Sequence, residues 1–215
     1  LFAYEEKGCL HYLDSHESAK EAFVQSYVED HDPLKTQLGM TYLNKDVRDL
    51  NAGILESFQK KGLVQESFDC GKSTLATGAT VMFEKADNTG WFTKTLESNG
   101  SQAIGVKNGT FGTVELYDEK TQEVRVRLQG DGRLVSFNTP QQRKQGGGYD
   151  SLSLGYVITS TKAQCLTFDR AKWLATAHED AGSTTVVTTR HREDFQSFAS
   201  QEFASNHREL ADKVG

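Results

Sequence analysis

Residues 155–169, GYVITSTKAQCLTFD, constrain this chain more than any other stretch. Tyr156 to Ile158 reads as a short buried strand. It empties at once into Thr159, Ser160, Thr161, Lys162 and Gln164. Hydroxyls, an ammonium and an amide at the start of a helix suit a phosphate, because unpaired backbone N–H groups there point at an anion. A second run, Thr185-Val186-Val187-Thr188-Thr189-Arg190-His191-Arg192, repeats the plan. It reads as a β-branched strand that ends in concentrated positive charge.

The chain has 215 residues, enough for one large or two small domains. Hydrophobic residues make up 36%, with 12 Phe and 7 Tyr, enough to build a core and to exclude global disorder. A net charge of -6 argues against a simple basic nucleic-acid binder. A local groove stays open, since Arg125, Arg127, Arg133, Arg143 and Lys144 lie close in sequence among few acids. The alternative is a solvated basic face. Cys9, Cys70 and Cys165 are far apart, with no CxxC and no zinc-finger spacing. Free thiols in a reducing compartment follow, and a cytoplasmic location is expected. No apolar run approaches the ~20 residues of a membrane span, and no signal peptide is visible. The chain opens Leu1-Phe2-Ala3-Tyr4, without Met, which suggests a segment of something longer.

Along the chain, residues 15–30 predict a helix with Ala19, Ala22, Phe23, Tyr27 and Val28 on one face and Ser15 as N-cap. His31-Asp32-Pro33 stops it. Residues 38–43 predict a strand. Asn44 can cap a helix over 45–60, with Val47, Leu50, Ile54, Leu55 and Phe58 inward and Lys60-Lys61-Gly62 as its end. From about 77 to 138 the pattern changes to short alternating strands: 80–83, 113–117, 124–128 and 134–137. Asn108-Gly109 marks a tight turn. Residues 86–103 read as a long polar loop. The section predicts a small antiparallel barrel. Residues 141–148, QQRKQGGG, have linker composition. Beyond them the pattern predicts a strand–turn–helix at 156–170, strands near 171–176 and 184–189, and a helix from about 193 to 213.

These residues resemble the C-terminal half of superfamily 1 DNA helicases of the RecD-like branch, most of all the helicase part of TraA-type conjugative relaxases. Thr41 to Asn51, TYLNKDVRDLN, is similar to that family's motif IV. Residues 155–169 resemble motif V, usually written GYAxTxHKAQGxTxD. Residues 186–193, VVTTRHRE, resemble motif VI. Between the first two, Val81-Met82-Phe83 and 105–114, GVKNGTFGTV, are similar to the SH3-like barrel inserted in the branch's second RecA-like domain. Thr161 stands where the family has His, Cys165 where it has Gly, and Thr185 and Thr188 where Tyr and Leu are common.

The resemblance implies an α/β fold: a RecA-like second motor domain without a P-loop, residues 1–75 and 149–215, interrupted by an SH3-like barrel at 76–148. It implies that Arg190 is the arginine finger, and that Gln164 sits at the junction of nucleotide and DNA. A bidentate, always-charged guanidinium suits a transferring phosphoryl group. Thr159, Thr161 and Lys162 would touch the single-strand backbone, with Asn44, Lys107 and Arg192 as further DNA contacts. Ser160 can instead face the core. Phe83, Trp91, Phe92 and Phe111 are candidate stacking platforms. The ends near 159 and 190 would lie side by side, as one wall of a cleft completed outside this polypeptide.

A P-loop needs glycine five residues before its GK, and Glu66 stands there ahead of Gly71-Lys72-Ser73-Thr74. That segment reads as a surface turn. ATP and Mg²⁺ would belong to the complete parent protein, and this chain alone is not expected to hydrolyse ATP. The expected partners are single-stranded DNA, the missing N-terminal RecA-like domain and other conjugation proteins, with no membrane. No relaxase-type histidine triad is present. Two alternatives stay open: a vestigial single-strand-binding module, and a scaffold that docks proteins through its barrel.

Overall fold

The computed structural model describes residues 2–88, 90, 93–97, 105–140 and 148–214. In chain order the first elements are α1 (Phe2–Glu5), β1 (Leu10–Leu13), α2 (His16–Glu29), β2 (Gln37–Thr41) and α3 (Asn44–Lys60). Then come β3 (Ser67–Cys70), β4 (Ser73–Ala76), β5 (Thr80–Phe83), β6 (Lys94–Glu97), β7 (Phe111–Asp118), β8 (Glu123–Leu128), β9 (Leu134–Asn138) and β10 (Leu152–Leu154). The chain closes with β11 (Val157–Thr159), β12 (Phe168–Leu174), α4 (Ala181–Thr188), β13 (His191–Ser200) and α5 (His207–Val214). It divides into one unit made of Leu1–Ser57 with Tyr156–Gly215 and a second of Phe58–Gly155. Both boundaries differ from those expected: the β3–β4 hairpin falls in the second unit.

The first unit is built on a five-stranded sheet in the order β1-β13-β12-β2-β11, every pair parallel. Parallel neighbours need crossovers: α4 links the adjacent β12 and β13, while α2 carries the chain from β1 to β2, three places across the sheet. In α2 the spacing of Ala19, Phe23 and Tyr27 buries one face, and Ser15 caps the helix by accepting from the Ser18 N–H at 3.1 Å. Phe23 lies over Gly39 of β2, where an added Cβ would stand 2.8 Å from the Phe23 ring and 2.7 Å from Val157. Helix and sheet approach this closely because no side chain intervenes. Leu38, Met40, Ile158, Trp173 and Phe195 fill the core.

Two expectations fail here. Residues 184–188, expected as part of a strand over 184–189, are helix with Thr189 as its C-cap, and the strand follows at 191–200 where a helix was expected. The sequence of α4 is β-branched, but Asp180 and Ser183 form a capping box, each side chain accepting the other's backbone N–H at 2.8 Å. The Thr184, Thr185 and Thr188 hydroxyls then donate to carbonyls four residues back at 2.8 Å. β13 lies between β1 and β12, so its polar residues needed partners inside the fold. Gln196 Oε1 accepts from Ser26 Oγ at 2.6 Å and from the buried Lys172 Nζ at 3.0 Å. Likewise no helix follows β11: residues 160–165 form consecutive turns, and 166–167 lead straight to β12.

In the second unit α3 ends in a Schellman motif. The Leu63 N–H reaches Phe58 O and the Gly62 N–H reaches Gln59 O, both at 2.9 Å, with Gly62 at φ +70. Six antiparallel strands follow in the order β10-β5-β7-β8-β9-β6, with the β3–β4 hairpin as a separate pair. The alternation of Val124, Val126 and Leu128 buries one face of β8 as expected. Phe68, Cys70 and Leu75 pack with Val81, Phe83, Val126 and Phe137 in one core. The closed barrel is not found: β10 and β6 do not pair with each other among the described residues, so the sheet is open. β6 also occupies part of the 86–103 stretch expected to be loop, pairing with β9. No helix of the described residues is long and apolar enough to cross a membrane.

Candidate functional site

A parallel sheet gathers the C-terminal ends of its strands at one edge, where loops and helix N-termini create binding crevices. Thr41 and Thr159 are register partners at that edge. Asn44, exposed, begins α3 just beyond Thr41. Thr159 Oγ1 accepts from the Lys162 N–H at 3.4 Å, and Thr161, Lys162 and Gln164 are exposed on the turns that follow. Ser160 turns inward, 1% exposed, and donates to Glu179 Oε1 at 3.0 Å. The same carboxylate oxygen accepts from Trp173 Nε1 at 3.1 Å. Asn44, Thr159, Thr161 and Lys162 therefore share one edge.

Asn51 fixes that arrangement, and sequence reading gave it no role. Its Nδ2 donates to Val157 O at 2.7 Å and its Oδ1 accepts from the Val157 N–H at 3.1 Å. A side-chain amide thus replaces the missing neighbour of the edge strand β11, and couples α3 to the strand before the turns. A second missed feature is Tyr42. It is 44% exposed and stacks on His178, ring centroids 5.9 Å apart at 24°. Its sequence signal was only an aromatic between two inward positions of an apolar run.

Arg190 and Arg192 occupy the opposite edge, which corrects the expected side-by-side placement of 159 and 190. Arg190 precedes β13 rather than ending a strand, because 181–188 is helix and Thr189 its C-cap. β11 and β13 are also separated by β2 and β12. The Arg190 guanidinium donates to Val186 O at 3.0 Å, Leu166 O at 3.2 Å and Thr189 Oγ1 at 2.8 Å. It joins the C-terminal end of α4 to the far end of the 160–167 segment. Cys165, beside it, is exposed with φ 64, the left-handed conformation that glycine adopts without strain. Arg192, 62% exposed, donates to Asp169 Oδ1 at 3.2 Å. The Asp169 carboxyl also accepts from the Thr36 N–H and hydroxyl at 2.8 Å, and these bonds, with Arg192, hold its pKa below the usual carboxylate range.

Lys107 belongs to the second unit, exposed on a turn closed by the Thr110 N–H to Lys107 O at 3.2 Å, with Gly109 at φ +79. Gly71-Lys72 is the two-residue loop of the β3–β4 hairpin, Gly71 at φ +67, with Cys70 and Ser73 as partners. The clustered arginines form no uniform basic face. Arg125 pairs with Glu123 at 3.1 Å, Arg127 with Glu115 at 2.8 Å and Arg133 with Asp131 at 2.7 Å. Arg143 and Lys144 lie outside the described residues, as do Trp91, Phe92 and most of the 141–148 linker. Phe83 and Phe111 are core. No group of three or more His, Cys, Asp or Glu arranged to hold a metal occurs among the described residues.

No protein-family model matches the chain. Three curated TraA proteins do. A probable conjugal transfer protein TraA of Sinorhizobium fredii is 31% identical over 195 residues, 89% of this chain. TraA of Agrobacterium fabrum is 32% identical over 184 residues, 84% of this chain. The chain is homologous to the TraA conjugal transfer proteins. It spans 16% and 15% of the length of these two TraA relatives. Among solved structures it shares its fold with a Bacteroides Pif1 helicase in complex with ADP-AlF3 and single-stranded DNA. That match has TM-score 0.52 and 19% identity, and covers 82% of this chain and 44% of that one. Bacteroides Pif1 bound to single-stranded DNA gives TM-score 0.52 at 19% identity, with 88% and 48% covered.

Proposed function

We propose that this chain is the C-terminal motor half of a TraA-type DNA helicase or translocase acting in conjugative transfer. The observation that carries the reading is the all-parallel sheet, homologous to TraA and similar in fold to nearly half of a Pif1 helicase. Asn44, Thr159, Thr161 and Lys162 then meet the backbone of single-stranded DNA at the C-terminal sheet edge. Gln164 lies between that edge and the nucleotide. Arg190 is the arginine finger at the other end of the same turns, exchanging its carbonyl partners for a γ-phosphate, with Arg192 as an outlying phosphate contact. The second unit stands for the SH3-like insertion, with Lys107 facing DNA. ATP and Mg²⁺ are held by the remaining motor domain of the parent polypeptide, which is the first partner, followed by other conjugation proteins.

The test is Arg190→Ala in the complete parent protein. We expect most ATP turnover to be lost, on the order of 10³-fold for a finger arginine, with single-strand affinity nearly unchanged. Equal loss of both would assign Arg190 to holding α4 against the turns. Lys72→Ala should leave turnover as it is.

A further inference from the structure

At the C-terminal edge of the parallel sheet, next to the residues assigned to the DNA backbone, lies a cleft of ≈ 590 Å³. Leu43, Thr176, His178 and Phe203 line it, with Glu202 and Lys213. Three observations bear on its occupant. Thr176 is 6% exposed, yet its Oγ1 has no hydrogen-bond partner. A buried hydroxyl left unpaired is costly, and a ligand atom would satisfy it. The charges do not suit an anion. Lys213 is engaged with Glu209 at 2.9 Å and with the Phe203 carbonyl, and His16, also in the lining, with Asp46 at 3.0 Å. Glu202 adds a carboxylate. Finally, the cleft is rimmed by an exposed aromatic pair, since His178 lines it and stacks on Tyr42, the neighbour of Leu43. No hydrogen bond holds the Tyr42 hydroxyl among the described residues.

From these we infer that Tyr42 and His178 form a stacking platform for one base of a single strand, and that the cleft behind it takes the edge of that base. The ligand part that enters is neutral, planar and polar-edged, as a nucleobase is. Thr176 offers its hydroxyl and Glu202 an acceptor for an N–H on the base edge, such as the N3–H of thymine. The phosphates stay outside, along Thr159 to Lys162. Every base has a π-face, so the platform gives affinity with little sequence preference. This inference rests on the single-strand reading proposed above.

The experiment measures binding of the chain to a short oligothymidine and to an abasic strand of equal length, by fluorescence anisotropy across a salt series. We expect Tyr42→Ala to weaken oligothymidine binding on the order of 10-fold. The same variant should leave the abasic strand and the slope against log salt unchanged, because no phosphate contact is lost. Tyr42→Phe should bind like the parent chain. Tyr42 is half-exposed and Tyr42→Phe keeps its ring, so that pair separates stacking from folding. Unchanged affinity in Tyr42→Ala, or equal loss on both strands, would overturn the platform while leaving the single-strand reading in place. No affinity of the parent chain for either strand would overturn both.

Discussion

At the residue scale, two positions near the turns carry measurable consequences. Cys165 holds a left-handed backbone, at φ 64, where its Cβ crowds the chain. Cys165→Gly should raise stability by about 1 kcal/mol, read as a higher urea midpoint at unchanged slope. Asp169 gives a pH signature. Its folded pKa is depressed, first by the Thr36 N–H and hydroxyl and then by Arg192. A depressed carboxylate contributes stability that is present above the unfolded value of about 3.9 and is lost as pH falls through the folded one. Urea midpoints recorded from pH 7 down to pH 2 should therefore fall in the acid range for the parent chain, and more shallowly for Asp169→Asn. Some of this scale was legible in sequence: Ser15 as a cap and Ser160 as inward-facing both follow from local chemistry. The Asn51 pairing with Val157 was not, because its partner lies 106 residues away.

At the element scale, α4 shows where pattern reading gave way. Six of its eight residues, Ser183 to Thr188, are hydroxylic or β-branched, which favours strand by propensity. The capping box at Asp180 and the threonine bonds to carbonyls four residues back reverse that preference. The readable signal was Asp180 followed three residues on by Ser183, a box with serine in place of the usual Glu or Gln. Asp180→Ala should cost about 1 kcal/mol and speed amide hydrogen exchange at Ser183 and Thr184. If exchange there is unaltered, the cap does not hold the helix. The strand β13 was missed for the opposite reason. Its polar residues look like a solvated helix, and only its place between β1 and β12 shows that Gln196 and Ser197 are inside.

At the scale of the whole molecule, the chain carries two separately cored units. Leu75, 0% exposed, belongs to the core of the second unit, and Leu38, 0% exposed, to that of the first. Each Leu→Ala change should cost about 2–5 kcal/mol in its own unit. Hydrogen exchange should then show faster opening of β7, β8 and β9 in Leu75→Ala with β12 and β13 unchanged, and the reverse in Leu38→Ala. Loss of protection in both units from either change would mean that they unfold as one.

The amino-acid order alone determined what depends on neighbours: the faces of α2 and α3, the alternation in β8, the turns at Gly71 and Gly109, and the motifs that point to TraA. Hydrogen bonds and side-chain periodicity of short range decide these, so they are written locally. Tertiary structure alone decided which strand ends share an edge. Position in a parallel sheet depends on crossovers that span most of the chain. It therefore placed Arg190 opposite Thr159, left the antiparallel sheet open, and brought Tyr42 onto His178 across 136 residues of sequence.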